Sequence, residues 1–278
     1  MNKPLVSIGM PLYNAQKRLR LALDALVNQT FRDFELIISD NASTDDTKSI
    51  CMEYASKYPQ ITYTRRDKNM GGPDNFKFVL TKATGTYFMW AAYDDLWDVN
   101  YLTECVKVFS ENPDCVTVFS HVNVVDINTD QIIRTLNPSS RASYLKVVRV
   151  AQSYMDIMPN FIYGLHKTDI IRKIELEPFD WFDVHFTAVL ALYGTMLVIP
   201  RYLHSSGDNH PRKPYSLTGK YLDFKTFRSR SNKLIKDNFS FIKRFSLLLL
   251  VYRMSFVEEW HLKKVIDNWP KETTETNN

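Results

Sequence analysis

Short apolar runs alternate with segments of helical periodicity over the first 125 residues. Each run is rich in Val, Ile or Leu and stops at polar residues, which is typical of strands buried in a parallel sheet. Between the runs, apolar residues recur every three or four positions, as at Leu19, Leu23 and Leu26. The pattern predicts strands at 5–10, 34–39, 61–64, 87–92 and 115–125, and helices at 15–28, 43–58, 73–82 and 100–110.

The order of these elements indicates the fold class. Strands that alternate with helices form a mostly parallel sheet with right-handed crossovers. We therefore predict an α/β protein, a mostly parallel sheet flanked by helices, with a helical C-terminal extension beyond about residue 216. Residues 126–180 are less regular. There, 161–164 has the pattern of a strand or a pocket loop, and a helix at 186–193 and a strand at 196–199 follow.

Polar residues stand directly after three of the predicted strands. Tyr13-Asn14, Asp40-Asn41 and Asp94-Asp95 each follow an apolar run. In open α/β sheets, ligands bind in the crevice outside the carboxyl ends of the strands. We therefore expect these three pairs to converge on one crevice.

The composition narrows the class of protein. The chain has 278 residues, which suits one large α/β domain or a domain with a small appendage. Cys51, Cys105 and Cys115 form no CxxC motif, so we expect buried thiols and a reducing compartment. The N-terminus lacks a signal-peptide pattern, and the apolar stretch 245–252 is only eight residues long. A membrane span needs about 20 residues, so we expect a soluble or peripheral protein.

Positive charge is concentrated near the C-terminus. The formal net charge is +4, but residues 212–244 hold ten Lys or Arg and only two Asp. Such a block favours an anionic partner. Two interpretations stay open: peripheral contact of residues 212–256 with an anionic membrane, and a basic helical cap packed on the domain. Nucleic acid is not expected as a partner, because no recognition motif for it occurs.

The strand ends carry candidate chemistry. Adjacent carboxylates such as Asp94 and Asp95 are costly to bury unless they are paired or bind a metal, and their oxygens suit Mg²⁺ or Mn²⁺. Capping of the helix that follows is the other interpretation of this pair. The turn at 69–72 contains two glycines, which allow a backbone to approach a ligand closely. It matches neither the dinucleotide-binding nor the P-loop signature.

Taken together, the motifs are far more specific than any one of them. The chain resembles the family 2 glycosyltransferases over about residues 4–125, and more faintly over 155–204. The resemblance is carried, in order, by Val6-Ser7-Ile8, Pro11-x-Tyr13-Asn14, Gln29-Thr30-Phe31, Phe34-Glu35-Leu36-Ile37-Ile38, Asp40-Asn41-x-Ser43-x-Asp45, Asn69-x-Gly71-x-x-x-Asn75, Ala83-x-Gly85-x-Tyr87 and Asp94-Asp95-x-Trp97.

This resemblance implies the GT-A fold, in which a Rossmann-like nucleotide-binding half merges with an acceptor half. It also implies roles for single residues. Pro11 and Tyr13 would flank the nucleobase, and Asp40 would accept a hydrogen bond from it. Asp94 would lie on the ribose side and Asp95 would bind the metal, or the reverse. The remaining donor-site candidates are Arg66 or Lys68, for the base or a phosphate, together with Asn69 and Gly71.

The chain departs from the family pattern at three positions. An acid usually stands two positions before Asp94, where this chain has Ala92, so the metal has fewer protein ligands. Asp74 replaces a common Arg, which puts one phosphate or sugar contact in doubt. Phe182 stands where a Glu is usual, next to Asp183.

The general base is predicted to be Asp183. It lies eleven residues before Gly194, a spacing that resembles the family's catalytic acid. Asp180 is the rival, and Asp183 can also cap its helix. His204 is a candidate metal or diphosphate ligand, with His210 as its rival. Candidates for the sugar or acceptor pocket are Tyr163, Gly164 and Trp181.

The resemblance implies a metal-dependent, inverting hexosyltransferase. We expect Mn²⁺ or Mg²⁺, a UDP-sugar donor, and a saccharide or lipid-linked hydroxyl acceptor in surface polysaccharide or glycoconjugate synthesis. The expected location is the cytoplasm, at the inner face of the membrane. The predicted division is a donor half (1–125), an acceptor half (126–215) and a basic helical extension (216–278). A nucleotidyltransferase and a non-catalytic nucleotide-binding scaffold remain as alternatives.

Overall fold

The fold was analysed in a computed structural model of the chain. The structure describes residues 3–156, 159–176, 182–208, 224–239 and 251. The described residues fall into two compact units. The first contains every strand and helices α1–α7, and the second contains helix α8 (Phe224–Asn238).

The first unit alternates strands and helices over its first half. The strands are β1 (Val6–Leu12), β2 (Phe34–Asp40), β3 (Ile61–Arg65), β4 (Tyr87–Trp90), β5 (Leu96–Trp97), β6 (Cys115–Asp126), β7 (Ile132–Leu136), β8 (Leu165–Lys167) and β9 (Thr195–Asp208). The helices are α1 (Leu19–Val27), α2 (Thr47–Lys57), α3 (Gly72–Lys82), α4 (Tyr101–Glu111), α5 (Lys146–Met155), α6 (Thr168–Ile171) and α7 (Phe182–Tyr193), and a 3₁₀ helix spans Pro159–Tyr163.

These strands form one mixed sheet in the order β3-β2-β1-β4-β8-β6-β9-β5, with β7 paired to β6. The pairs β1–β2, β2–β3, β1–β4 and β6–β9 are parallel. Strand β8 is antiparallel to both β4 and β6, so β4 and β6 run in the same direction. The carboxyl ends of β1, β2, β3, β4, β6 and β9 therefore lie at one edge of the sheet.

The core follows from the apolar runs of the sequence. Strand β1 is buried at nearly every position because helices cover both of its faces, and its central Ile8 is fully buried. Helix α1 buries the face formed by Leu19, Leu23 and Leu26, as its periodicity predicts. Cys51, Cys105 and Cys115 are free and buried.

The structure refines the predicted element boundaries. Helix α1 starts at Leu19 rather than at residue 15, and the N–H groups of Asn14 and Ala15 in the preceding loop donate to the side chains of Ser43 and Thr47. The strand alternative for residues 161–164 is wrong, because residues 159–163 form a single 3₁₀ turn. The buried Phe161 of that turn packs on Phe119, with 5.2 Å between ring centroids.

The second unit is described mainly through α8. Its buried face consists of Phe227, Ser231 and Ile235, which are spaced at four residues. Lys233 and Lys236 on the same helix are exposed. Among the described residues, no helix has the length and apolar content to cross a membrane.

Candidate active site

The loops after β1 and β2 are bonded to each other. Asn14 adopts a positive φ of 51°, and its backbone N–H donates to the Ser43 hydroxyl at 2.9 Å. Its side-chain carbonyl oxygen accepts the Thr44 N–H at 2.8 Å. Asn tolerates this backbone conformation better than most residues. The interlock leaves Tyr13 projecting at the carboxyl edge of the sheet, with 46% of its surface exposed.

Asp40, the last residue of β2, is buried and accepts hydrogen bonds from three neighbouring residues. Its Oδ1 accepts the Ser43 N–H at 2.8 Å, and its Oδ2 accepts from the Tyr63 hydroxyl and from Arg65 Nη1, both at 2.9 Å. Burial, and then the hydrogen bond to Asp40, raise the pKa of Tyr63. A carboxylate has about four acceptor positions, so three donors leave one. Since Asp40 itself is fully buried, Arg65 is the exposed member of the cluster, with a side chain 35% exposed.

A second loop is held against the same edge by Asn41 and Asn69. The Asn41 amide donates to Asn69 Oδ1 at 2.7 Å and to the Gly71 carbonyl at 3.1 Å, and its own oxygen accepts the Met70 N–H. Gly71 has a φ of 86°, which side chains strongly disfavour. The structure therefore gives both predicted donor-site residues, Asn69 and Gly71, a part in shaping this loop.

Arg66 and Lys68, the two basic residues predicted to contact the base or a phosphate, have different surroundings. Arg66 Nη2 pairs with Asp74 at 3.0 Å, and its guanidinium lies 4.3 Å from the Phe78 ring centroid. The residue that departs from the family pattern, Asp74, thus engages the Arg66 side chain. Lys68 is exposed.

Asp95 and His204 form a buried pair beyond the end of β4. His204 Nε2 lies 2.9 Å from Asp95 Oδ2, and Asp95 Oδ1 accepts the Gly207 N–H at 3.0 Å. The two residues are 2% and 1% exposed. Because a carboxylate only accepts, Nε2 carries a proton, and in the neutral ring His204 Nδ1 presents a lone pair. Nδ1 is buried and has no hydrogen-bond partner among the described residues.

The His204 ring is fixed by aromatic neighbours. It stacks on Trp97, with 5.5 Å between centroids and 11° between the planes, and Phe119 contacts it edge-on at 5.9 Å. Rotation of the ring would break both the stack and the bond to Asp95. The orientation of Nδ1 is therefore set by packing and by the carboxylate together.

Asp94 lies against the end of β9. A Cβ at Gly207 would come within 2.5 Å of the Asp94 carbonyl oxygen, so only glycine permits this approach. Asp94 itself is half-buried, whereas Asp95 is buried. The two adjacent carboxylates thus have different surroundings.

The residues present suit a divalent cation in part. Among the described residues, no three His, Cys, Asp or Glu side chains lie close enough together to hold an ion by themselves. His204 Nδ1, which has no hydrogen-bond partner among the described residues, is nevertheless a donor that Mn²⁺ accepts, with the other positions filled by oxygen ligands. A metal-bound His commonly donates its second N–H to a carboxylate, as His204 does to Asp95.

Asp183 lies at the same edge of the sheet. Helix α7 ends next to Asp114 at the start of β6, where the Thr195 N–H donates to the Asp114 carbonyl. One turn after Asp183, Phe186 packs on Trp90, the last residue of β4, at 5.9 Å. The helix therefore runs from the carboxyl to the amino edge, with Asp183 at its first turn. Burial raises the pKa of Asp183, although its Oδ1 accepts the Val184 N–H.

Of the residues predicted to line the sugar or acceptor pocket, the structure describes Tyr163 and Gly164. The Tyr163 ring lies 6.4 Å from the His204 ring, which places it beside the buried pair. Gly164 is buried, and a Cβ there would meet the Val118 carbonyl at 2.9 Å, so its visible role is close packing. Trp181, Asp180 and His210 lie outside the described residues.

The structure adds residues that sequence reasoning missed. Arg65 and Arg18 have buried or paired polar groups near the strand ends. Arg65 and Arg18 have the sequence pattern of ordinary solvated cations. The only available signal was their position directly at a strand end or just after a loop that carries a motif.

Comparison with solved structures shows the fold. The structure of S. aureus TarS 1-349 in complex with UDP-GlcNAc matches with a TM-score of 0.70 at 17% identity, over 91% of this chain and 72% of that one. Mannosyltransferase PcManGT from Pyrobaculum calidifontis, in complex with GDP-Man and Mn²⁺, matches with a TM-score of 0.62 at 17% identity, over 98% and 77%. Both are GT-A glycosyltransferases, so this chain has the GT-A fold.

Sequence relatives cover part of the chain. An uncharacterized protein of Mycobacterium tuberculosis is 40% identical over 124 residues, 44% of this chain and 35% of its own length. An uncharacterized glycosyltransferase of Rickettsia typhi is 30% identical over 182 residues, 65% of this chain and 54% of its own. One of Methanocaldococcus jannaschii is 30% identical over 180 residues, 64% and 60%. The chain thus spans less than two thirds of each of these relatives.

The family model described as glycosyl transferase family 2 matches residues 7–164, which is more than half of the chain. That segment contains the interlocked β1 and β2 loops, Asp94, Asp95 and the 3₁₀ turn before β8. The chain belongs to glycosyltransferase family 2.

Proposed function

We propose that the protein transfers a hexose from a nucleoside diphosphate sugar, with UDP as the first choice, to a hydroxyl acceptor, with metal dependence and inversion. The observation that carries this proposal is the Asp95–His204 pair. The pair leaves the buried His204 Nδ1 without a hydrogen-bond partner among the described residues, at the same sheet edge as Asp94, the base-pocket candidates and Asp183.

The base would bind at the ends of β1, β2 and β3. Pro11 and Leu12 pair in register with Ser39 and Asp40, and Asp40 pairs with Arg65. Exposed Tyr13 would stack on the base, and Arg65 would donate to a base carbonyl while Asp40 holds the guanidinium in place. Arg65 suits this contact better than Arg66, because Arg66 is engaged with Asp74.

A divalent cation would be held by His204 Nδ1 and Asp94, with Asp95 fixing the His204 tautomer. When bound, the cation supplies charge neutralisation for the departing diphosphate. The protein's own contribution is to orient the ring through Trp97 and Asp95, so that no reorganisation is needed on binding.

Asp183 would act as the general base. It accepts the proton of the acceptor hydroxyl as that oxygen forms its bond to the anomeric carbon, and the bond from that carbon to the diphosphate oxygen breaks. The leaving group departs as the nucleoside diphosphate, and one displacement inverts the configuration. A carboxylate with a raised pKa is a stronger base, which suits this role.

The acceptor and location are proposed on less direct support. Helix α8 presents exposed Lys233 and Lys236 opposite its buried face, and free buried thiols fit a reducing compartment. These features support action on a saccharide or lipid-linked acceptor at the inner membrane face, with the 126–215 segment as the acceptor half. Flotation with anionic and neutral vesicles tests the membrane contact directly.

The central experiment measures nucleotide binding and transfer by the whole chain. Calorimetric titration with UDP and GDP, each with Mn²⁺ or with EDTA, should show metal-dependent affinity for one of them. A panel of the corresponding sugar nucleotides then identifies the donor, and NMR of the product gives its anomeric configuration. Absence of metal-dependent binding to either nucleotide would sink the proposal. Tight binding with neither hydrolysis nor transfer would assign a non-catalytic scaffold instead.

A further inference from the structure

Arg18 is a buried cation at the start of α1. Its side chain is only 6% exposed. Nη1 donates to the Ile127 carbonyl and to Asp130 Oδ1, each at 2.8 Å. Asp130 lies in the β6–β7 turn, with 67% of its side chain exposed. The carboxylate partner of Arg18 is thus at the surface while the guanidinium is inside.

The other edge of the guanidinium has no hydrogen-bond partner within the part of the chain that the structure describes. Nε and Nη2 are both buried and make no hydrogen bond among the described residues. Buried donors without acceptors are costly, and such groups in a native protein call for an explanation. Nε and Nη2 together form the planar fork that matches two oxygens of one phosphate or carboxylate. A buried fork of this kind is an anion-binding group.

Packing places Arg18 next to the active-site edge. The Ile127 carbonyl accepts from Arg18, and the Ile127 side chain lies against Gly207, 2.8 Å from where a Cβ would stand. Gly207 in turn abuts the Asp94 backbone and bonds to Asp95. Arg18 is therefore linked to Asp94 through only two intervening residues, Ile127 and Gly207.

We propose that the Nε–Nη2 edge of Arg18 binds a phosphate group of a substrate during transfer. The proposal rests on the transferase function above and adds a residue to it. The phosphate belongs to the donor diphosphate or to a phosphorylated lipid acceptor. Asp130 holds the opposite edge of the guanidinium through Nη1, so release of its exposed side chain would free Arg18 to turn the fork toward a phosphate.

The test compares Arg18→Lys with Arg20→Lys. Arg20 lies two residues away and pairs with Glu53 at the surface, so it is a matched control. Calorimetry with Mn²⁺ measures binding of UDP, uridine and pyrophosphate, and a parallel series uses farnesyl phosphate and farnesol in detergent. Arg18→Lys should weaken binding of UDP and pyrophosphate, or of farnesyl phosphate, about 10- to 100-fold. The affinity for uridine and farnesol should not change. Weaker UDP assigns the donor, and weaker farnesyl phosphate assigns the acceptor.

Asp130→Ala keeps Arg18 and removes the competing carboxylate. It should strengthen phosphate binding, which a purely structural role of Arg18 would not cause. Thermal unfolding of each variant separates misfolding from loss of binding. If the wild type binds UDP and neither Arg18→Lys nor Asp130→Ala changes any phosphate affinity, the Arg18 proposal is wrong and the transferase function stands. If the wild type binds none of the nucleotides or phosphates, both proposals fail.

Discussion

Asp95 and His204 stand 109 positions apart in the chain and meet through a 2.9 Å bond between Oδ2 and Nε2. The contact joins the motif after β4 to the middle of β9. Each Asp95 oxygen accepts one hydrogen bond, one from the ring and the other from the Gly207 N–H. Under the proposed function, Asp95 acts through His204, and the histidine is the residue next to the cation.

Replacement of Asp95 by Asn tests whether Asp95 acts on the cation through His204 or binds it directly. The amide carries less charge, so it holds the His204 ring and its tautomer less firmly. Loss of such an outer partner typically costs 10- to 100-fold in metal affinity. We expect that loss in Mn²⁺ affinity, measured by electron paramagnetic resonance in the presence of UDP.

His204→Gln should be at least as damaging as Asp95→Asn in the same titration. Glu111→Gln is the control, since Glu111 is exposed at the end of α4. If Asp95→Asn abolished Mn²⁺ binding while His204→Gln left it unchanged, Asp95 would be the direct ligand and the proposed order would be reversed.

Asp183→Asn should separate catalysis from binding. The amide cannot take the acceptor proton, so transfer should fall by about 10²–10⁴-fold. UDP affinity should stay near the wild-type value, because nothing in the structure places Asp183 at the base or diphosphate. Single-turnover transfer and calorimetry on the same preparation provide the two measurements. A parallel loss of UDP affinity would contradict the assignment.

Asp183 also predicts a pH dependence of stability. Its folded pKa is raised by burial above the ordinary value of 3.8, so the folded state holds the proton longer than the unfolded state. Stability should therefore decrease as pH rises from that value through the folded pKa, and the penalty remains at neutral pH. Asp183→Asn removes the penalty, so its melting temperature at pH 7 should exceed that of the wild type. Equal melting curves across this range would show that burial does not perturb the group.

The sequence could predict the alternating strands and helices of the first half of the sheet because their signals are local. Strands such as β1 and β2 are continuous apolar runs, and the polar pairs at their ends fall at the sheet edge by topology alone. Asp183 was selected through an eleven-residue spacing to Gly194, and it lies in the first turn of α7. Each of these inferences needed only neighbouring residues.

The remaining features of the fold and of the site depend on contacts between residues that are far apart in the sequence, so no local sequence pattern indicates them. Strand β5 has two residues and β8 has three, which is too short for any periodicity. The partnership of Asp95 with His204 and the burial of Arg18 arise only when β6, β9 and α1 are packed together. A buried arginine and a solvated one look alike in a sequence, so Arg18 and Arg65 could not be selected.

Removal of Arg65 should destabilise the protein through Asp40. Arg65→Met leaves the fully buried Asp40 carboxylate without its cation, and loss of a partner to a buried polar group costs about 1–3 kcal/mol. Arg20→Met removes an exposed pair with Glu53, with side chains 51% and 56% exposed, and should cost under about 1 kcal/mol. Urea unfolding of both variants gives the comparison. Equal costs would show that Asp40 finds other donors.

Gly207→Ala should damage the proposed cation site without replacing either of its proposed ligands, His204 and Asp94. The added Cβ would stand 2.5 Å from the Asp94 carbonyl oxygen, a backbone atom that cannot rotate away. The end of β9 must therefore move, which displaces Asp95 as well because the Gly207 N–H bonds to its carboxylate. We expect weaker Mn²⁺ binding and a lower melting temperature. Gly72→Ala is the matched control, since nothing lies within 4 Å of its added Cβ, and it should be neutral or slightly stabilising. If both variants bound Mn²⁺ like the wild type, the β9 end would not position the cation site.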